Sequence, residues 1–174
     1  MSARLGLMLG MALCSSWALG APDPATAYLS KIVDPLGEVC HYQNQIGQII
    51  VAARPCDETI DYVSDLHRLP FALVFDQGWQ AYGPSGAHLF EVFMFDNGPD
   101  EPAEGLIRIE RAGRLGYASV ATGKIMVPPL YQCALPFRDG WAQVGLRCQK
   151  VYEPSGEHWY WEADEWLRLP HPSS

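Results

Sequence analysis

The stretch that decides the fold is Gly116–Val144, GYASVATGKIMVPPLYQCALPFRDGWAQV. Short apolar runs are separated there by a Thr-Gly-Lys turn, by two prolines and by an Asp-Gly pair. Alternating apolar residues on both sides of a glycine-containing turn predict a β-hairpin. Pro128 and Pro129 have no backbone N–H to donate, so we expect the chain to leave the sheet at these residues. The stretch therefore predicts short antiparallel strands.

A similar pattern of tyrosine, turn and glycine residues recurs along the chain. Tyr82, Tyr117 and Tyr152 lie 35 residues apart, and each is followed by a turn that ends in glycine. The same interval separates Glu104-Gly105 from Asp139-Gly140. Self-similarity with a period between 20 and 50 residues is typical of units that bury their apolar faces on one another. We therefore predict one domain, residues 21–174, that contains four units at approximately 37–70, 71–109, 110–144 and 145–174.

The first of these units is degenerate. When Gly47 is aligned with Gly123, several apolar positions of the two segments coincide, and His41 takes the place of Tyr117. The predicted fold class is all-β, a solenoid-like or barrel-like stack of short antiparallel strands and hairpins. At most one or two short helices are expected: residues 24–38 could hold one, and residues 56–69 fit a helix or a strand.

The third unit resembles the WG-repeat family, whose units open on Trp-Gly. The family pattern is Trp-Gly-Tyr, a Thr-Gly-Lys turn, an apolar run into Pro-Pro, an aromatic residue, and Phe-x-Glu/Asp-Gly. The matching residues are Leu115-Gly116-Tyr117, Thr122-Gly123-Lys124, Val127-Pro128-Pro129, Tyr131, Phe137, Asp139-Gly140, Ala142 and Val144. Leu115 replaces the naming tryptophan, and the other units retain fragments of the pattern. The resemblance implies an all-β repeat architecture and interaction modules without general catalytic residues.

The first twenty residues read as a Sec-type signal peptide. Arg4 precedes the apolar stretch Leu5–Leu13, and small residues follow up to a predicted cleavage site near Gly20. Lipidation at Cys14 is the alternative, but Leu13 fits a lipoprotein cleavage site poorly. We therefore expect a periplasmic or secreted protein.

Four cysteines remain after cleavage, and they allow three pairings. We favour Cys40 with Cys56 and Cys133 with Cys148, because each pair closes a loop of about 15 residues, worth roughly 3 kcal/mol in the chain-entropy description. No C-x-x-C motif is present, which argues against a structural zinc or a redox site. We expect no metal and no cofactor.

Charge and motifs narrow the function classes further. The formal net charge is -8, and it becomes more negative once the leader with Arg4 is removed. Such a chain repels phosphate backbones, so nucleic acid is not an expected partner. No segment reaches the ~20 apolar residues of a membrane helix. Nucleophile-elbow and phosphate-loop motifs are absent from the sequence, and no catalytic residue is predicted.

The candidate binding residues are the aromatics Trp159, Tyr160, Trp161 and Trp166 near the C-terminus. They could cap the open end of the repeat stack, or form an exposed platform for a sugar or a protein. The segment of residues 96–105, which contains several acidic residues, is predicted to be a solvated loop. We predict a non-enzymatic interaction module whose partner is an unknown protein or glycan of the bacterial envelope. The alternative is a cell-wall glycan hydrolase or an inhibitor of one.

Overall fold

The computed structural model describes residues 27–95, 98–154, 156 and 158–172. The predictions on residues 1–20, Gly20 and Cys14 lie outside these ranges. Within them the chain is almost entirely antiparallel β-sheet, with one short 3-10 turn at Cys56–Glu58. The predicted all-β class is confirmed. None of the described helices has the length and apolar character that a membrane crossing requires.

Short strands account for most of the described chain. They are β1 (Leu29–Val33), β2 (Val39–Asn44), β3 (Ile49–Pro55), β4 (Thr59–Ile60), β5 (Ala72–Phe75), β6 (Trp79–Tyr82), β7 (His88–Val92), β8 (Met94–Phe95), β9 (Gly98–Pro99), β10 (Leu106–Arg111), β11 (Arg114–Ser119), β12 (Ile125–Tyr131), β13 (Cys133–Ala134), β14 (Trp141–Gly145), β15 (Cys148–Tyr152), β16 (Trp159–Ala163) and β17 (Leu167–Pro170).

Three-stranded antiparallel meanders are the recurring element. β1-β2-β3 forms the first, β5-β6-β7 the second and β10-β11-β12 the third. The second and third join through β7 and β10 into a seven-stranded sheet in the order β12-β11-β10-β7-β6-β5-β4. At the C-terminal end, β14 pairs with β13 and β17, while β15 and β16 form a separate hairpin. In the described ranges no sheet closes into a barrel.

A glycine turn closes several of the hairpins, and the turn at Gly123 is one residue longer than those at Gly47, Gly86 and Gly156. The N–H groups of Gly47, Gly86, Gly123 and Gly156 each donate to the carbonyl oxygen of the residue that opens the turn, at 2.8 to 2.9 Å. All four glycines have positive φ, between 67° and 82°, a backbone conformation that residues with a Cβ rarely adopt. The turn chemistry is therefore what recurs from hairpin to hairpin.

The equally spaced tyrosines, in contrast, do not share an environment. Tyr117 is 1% exposed, Tyr82 is half-buried and Tyr152 is 62% exposed. Tyr117 lies two residues before the residue that opens its turn, whereas the other two tyrosines lie one residue before theirs. Because successive residues of a strand point to opposite faces, this difference reverses the side chain. The structural counterpart of Tyr117 is the buried Tyr42, and the alignment with His41 is wrong by one residue.

Two local predictions need correction, and a third, left open between helix and strand, is resolved. Residues 27–38 form β1 and a turn where a short helix was considered possible, and residues 56–69 hold a 3-10 turn, β4 and bends. The chain also does not leave the sheet at Pro128 and Pro129, since β12 continues to Tyr131. β12 is an edge strand with irregular register against β11, and at such positions the missing N–H groups leave no partner unsatisfied.

Both predicted disulfides are confirmed. Cys40 pairs with Cys56 and joins β2 to the 3-10 turn, while Cys133 pairs with Cys148 and joins β13 to β15. Gly145 packs against the second pair, where an added Cβ would lie 2.6 Å from the Cys148 sulfur. Disulfides persist in oxidising compartments, so this chemistry is that of a protein outside the cytoplasm.

Candidate functional site

The structure separates the predicted aromatic residues into two groups. Trp159 and Trp161 lie on β16 and pack against an apolar cluster that includes Tyr117, Phe137 and Val144. Tyr160 points to the opposite face and is 53% exposed.

The first group consists of the two β16 tryptophans and has little open ring surface. Their rings meet edge to face with 5.1 Å between the ring centres, and the Phe95 ring meets Trp159 in the same geometry with 5.6 Å between the ring centres. Lys150, which pairs with Trp161 across the hairpin, places its ammonium nitrogen 4.2 Å from the Trp159 ring centre. These contacts support the capping interpretation, because a sugar could stack on these rings only after displacing Lys150.

The second group surrounds a groove of about 440 Å³ on the outer face of the β13-β14-β17 sheet. Trp166 lies here, together with Trp141, which the sequence did not single out. We call this site the tryptophan groove. Its walls are Leu135, Pro136, Arg138, Asp139, Trp141, Ala142, Gln143, Trp166, Leu167 and Arg168.

Strand alternation explains why these residues meet. On β14, Ala142 and Val144 are buried, so Trp141 and Gln143 point outwards. β17 runs antiparallel to β14 and places Arg168 opposite Gln143, which makes Arg168 a diagonal neighbour of Trp141 on the same face. The guanidinium carbon of Arg168 lies 3.9 Å from the Trp141 ring centre.

The groove is locally cationic in an acidic protein. Arg138 and Arg168 are both exposed, and Asp139 is the one carboxylate among the lining residues. In the described part of the chain neither arginine forms an ion pair. The planar guanidinium donates in a fixed fork that matches a carboxylate, and stacking on an indole holds that fork in place. The site can therefore bind a carboxylate next to an apolar group.

The carboxylates that could have catalysed glycan hydrolysis lie in different environments. Asp100, predicted to lie in a solvated loop, is 4% exposed, and its carboxylate pairs with the buried Arg108. Glu104 is exposed and accepts a hydrogen bond from the Gly140 N–H. Asp96 lies outside the described residues. Neither Asp100 nor Glu104 is among the residues that line the tryptophan groove.

One pair of carboxylates that the sequence did not single out does come together. Glu91 on β7 and Glu110 on β10 are cross-strand partners in the central sheet. Burial, and then the neighbouring Glu91, raise the pKa of Glu110, while Lys150 opposes this shift. The pairing could not be foreseen, since it depends on which strands of successive meanders become neighbours.

Scans against protein-family models, curated proteins and solved structures found no match to this chain, so the WG-repeat resemblance stays a prediction.

Proposed function

We propose that this protein is a non-catalytic binding module of the bacterial envelope or secreted fraction. Its docking site is the tryptophan groove, and its partner is an acidic, partly apolar segment of another protein. The observation that supports this function best is the stacking of Arg168 on Trp141, beside an exposed second arginine and an apolar wall.

Charge complementarity defines the partner. The chain has a formal net charge of -8, and most acidic proteins would be repelled at long range. Arg138 and Arg168 oppose this repulsion locally, within the groove. A segment that places carboxylates on these arginines would gain charge-assisted hydrogen bonds there.

The composition of the groove favours a protein over a glycan. Tryptophan and arginine are enriched among the residues that dominate protein–protein binding energy. Arg168 lies 3.9 Å from the centre of the Trp141 ring, so a sugar cannot stack on that face of Trp141. An apolar side chain of a peptide can instead fill the space between Leu135, Pro136 and Leu167.

Selection of peptides by the mature, disulfide-bonded protein tests this function. A display library of random twelve-residue peptides would be panned against it, and enriched sequences would be synthesised for titration calorimetry. We expect enrichment of Asp or Glu next to an apolar residue. Arg168→Gln should weaken binding by about 30-fold or more, as for a hot-spot arginine. Arg111→Gln, which removes an exposed arginine at the end of β10 that does not line the groove, should leave binding unchanged.

Two outcomes would overturn the proposal. One is enrichment of peptides without acidic residues, or binding that survives both Arg168→Gln and Trp141→Ala in folded protein. The other is sedimentation with purified peptidoglycan that is abolished by Trp141→Ala, which would assign the groove to a glycan.

A further inference from the structure

A second groove, of about 450 Å³, lies between two of the glycine turns. The turn between β6 and β7 and the turn between β11 and β12 form two of its sides, and residues 27–28 and 68–70 form a third. We call it the turn groove, and the side chains that matter are those of Tyr28, Arg68, Ser85, Leu89, Thr122 and Lys124.

The charge of the turn groove is opposite to that of the chain. Arg68 and Lys124 line it, and no aspartate or glutamate is among its lining residues. Both cations are exposed, and across the described ranges neither is in an ion pair. Two unpaired cations on one concave surface attract an anion.

The polar groups of the groove also present donors. The Thr122 hydroxyl oxygen accepts from the Lys124 N–H at 3.3 Å, and the Ser85 hydroxyl oxygen accepts from the Ala87 N–H at 3.4 Å. Because a hydroxyl both accepts and donates, each O–H remains able to donate to a bound oxyanion.

The turn that supplies Thr122 and Lys124 is docked on the core. Gly123 is buried, and a Cβ at this position would lie 3.0 Å from the Phe71 ring and 3.3 Å from Leu89. On the opposite wall, the Arg68 guanidinium lies 5.2 Å from the centre of the Tyr28 ring. The backbone of the turn that carries Lys124 and the guanidinium of Arg68 are therefore held by packing before a ligand arrives.

We propose that the turn groove binds an oxyanion that is attached to a body the size of one sugar ring. Arg68, Lys124 and the two hydroxyls would bind the anionic group, and Tyr28 and Leu89 would contact the ring. This site is independent of the tryptophan groove. A carboxylate and a phosphate share the chemistry that these donors recognise, so the test contains both.

Amide chemical shifts in a titration of isotope-labelled mature protein test the proposal. The probes are glucuronate, glucose 6-phosphate, glucose and inorganic phosphate. We expect saturable shifts at Gly83, Gly123 and Lys124 with both anionic sugars, and none with glucose. The stronger of the two anionic sugars identifies the anion class. Lys124→Gln and Arg68→Gln should each weaken binding by about tenfold or more, whereas Arg111→Gln should not.

The proposal is overturned if glucose shifts these amides as much as glucuronate does, or if Arg111→Gln weakens binding as much as Lys124→Gln. It is also overturned if no probe gives saturable shifts in folded protein. Equal binding of inorganic phosphate and of both sugars would refute the contact between the ring and Tyr28.

Discussion

Neutralising Asp100 should destabilise the protein more than any surface change, because its carboxylate compensates the buried charge of Arg108. The two residues are 4% and 3% exposed. The carboxylate accepts hydrogen bonds from the Arg108 backbone N–H at 2.8 Å and from its Nε at 3.0 Å, and it also contacts Nη2. In Asp100→Asn the arginine would retain the Ala134 carbonyl oxygen, 3.0 Å from Nη1, and the nearby Phe93 ring.

The expected loss follows from the cost of an uncompensated buried charge. Removal of one member of a buried ion pair costs about 3–5 kcal/mol. Asparagine still offers one carbonyl oxygen, which places Asp100→Asn near ~3 kcal/mol. For a domain of this size, that loss lowers the melting temperature by roughly 6–12 °C. Arg108→Met added to Asp100→Asn should recover part of the loss, since it removes the isolated charge.

Urea denaturation followed by tryptophan fluorescence measures these free energies, with Asp164→Asn as the matched control. Asp164 pairs with Arg147, but the two side chains are 65% and 81% exposed, and such pairs contribute less than about 1 kcal/mol. If Asp100→Asn unfolds within 1 kcal/mol of Asp164→Asn, the attribution of stability to the buried pair is refuted.

Three further changes test other parts of the fold. Gly116→Ala should cost about 1–3 kcal/mol or more in chemical denaturation, because the new Cβ would overlap the backbone of the facing strand, whereas Gly98→Ala, with nothing within 4 Å, should be nearly neutral. Glu110→Gln should raise the free energy of unfolding at neutral pH, because the raised pKa of Glu110 means that the fold disfavours the charged carboxylate. This gain should shrink as the pH falls through the raised pKa of the folded state, and it should vanish below the ordinary value of 4.5. Replacement of Cys133 and Cys148 together by serine should cost about 3 kcal/mol, and an unchanged urea midpoint would contradict the role assigned to this disulfide.

Local signals in the sequence predicted a large part of the fold. The turn glycines are detectable because positive φ restricts the residue type, and Gly47, Gly86, Gly123 and Gly156 all have it. The disulfides could be assigned because short loops favour pairing between cysteines that are close in sequence. Strand alternation around these turns was sufficient to establish the all-β class.

The strand register and the burial of individual side chains could not be predicted as well from the sequence. The spacing of Tyr82, Tyr117 and Tyr152 is regular, but turns of different length change which strand face the tyrosine occupies. Asp100 follows a Pro-Gly-rich segment that is typical of a solvated loop, and its burial depends on Arg108, a buried residue of β10 whose charge requires a partner. Neither outcome follows from the spacing of residues along the chain.

The tryptophan groove illustrates why a candidate site can be invisible in the sequence pattern. If β14 had begun a fourth meander, it would pair with β15, as β10 pairs with β11. Instead β14 accepts β17 from the C-terminus as its neighbour, and only this exchange brings Arg168 over Trp141. The three meanders have their strand order in common, whereas this groove arises where the C-terminal strands depart from that order. β17 is therefore the strand in which a sequence change would alter the groove without disturbing the seven-stranded sheet.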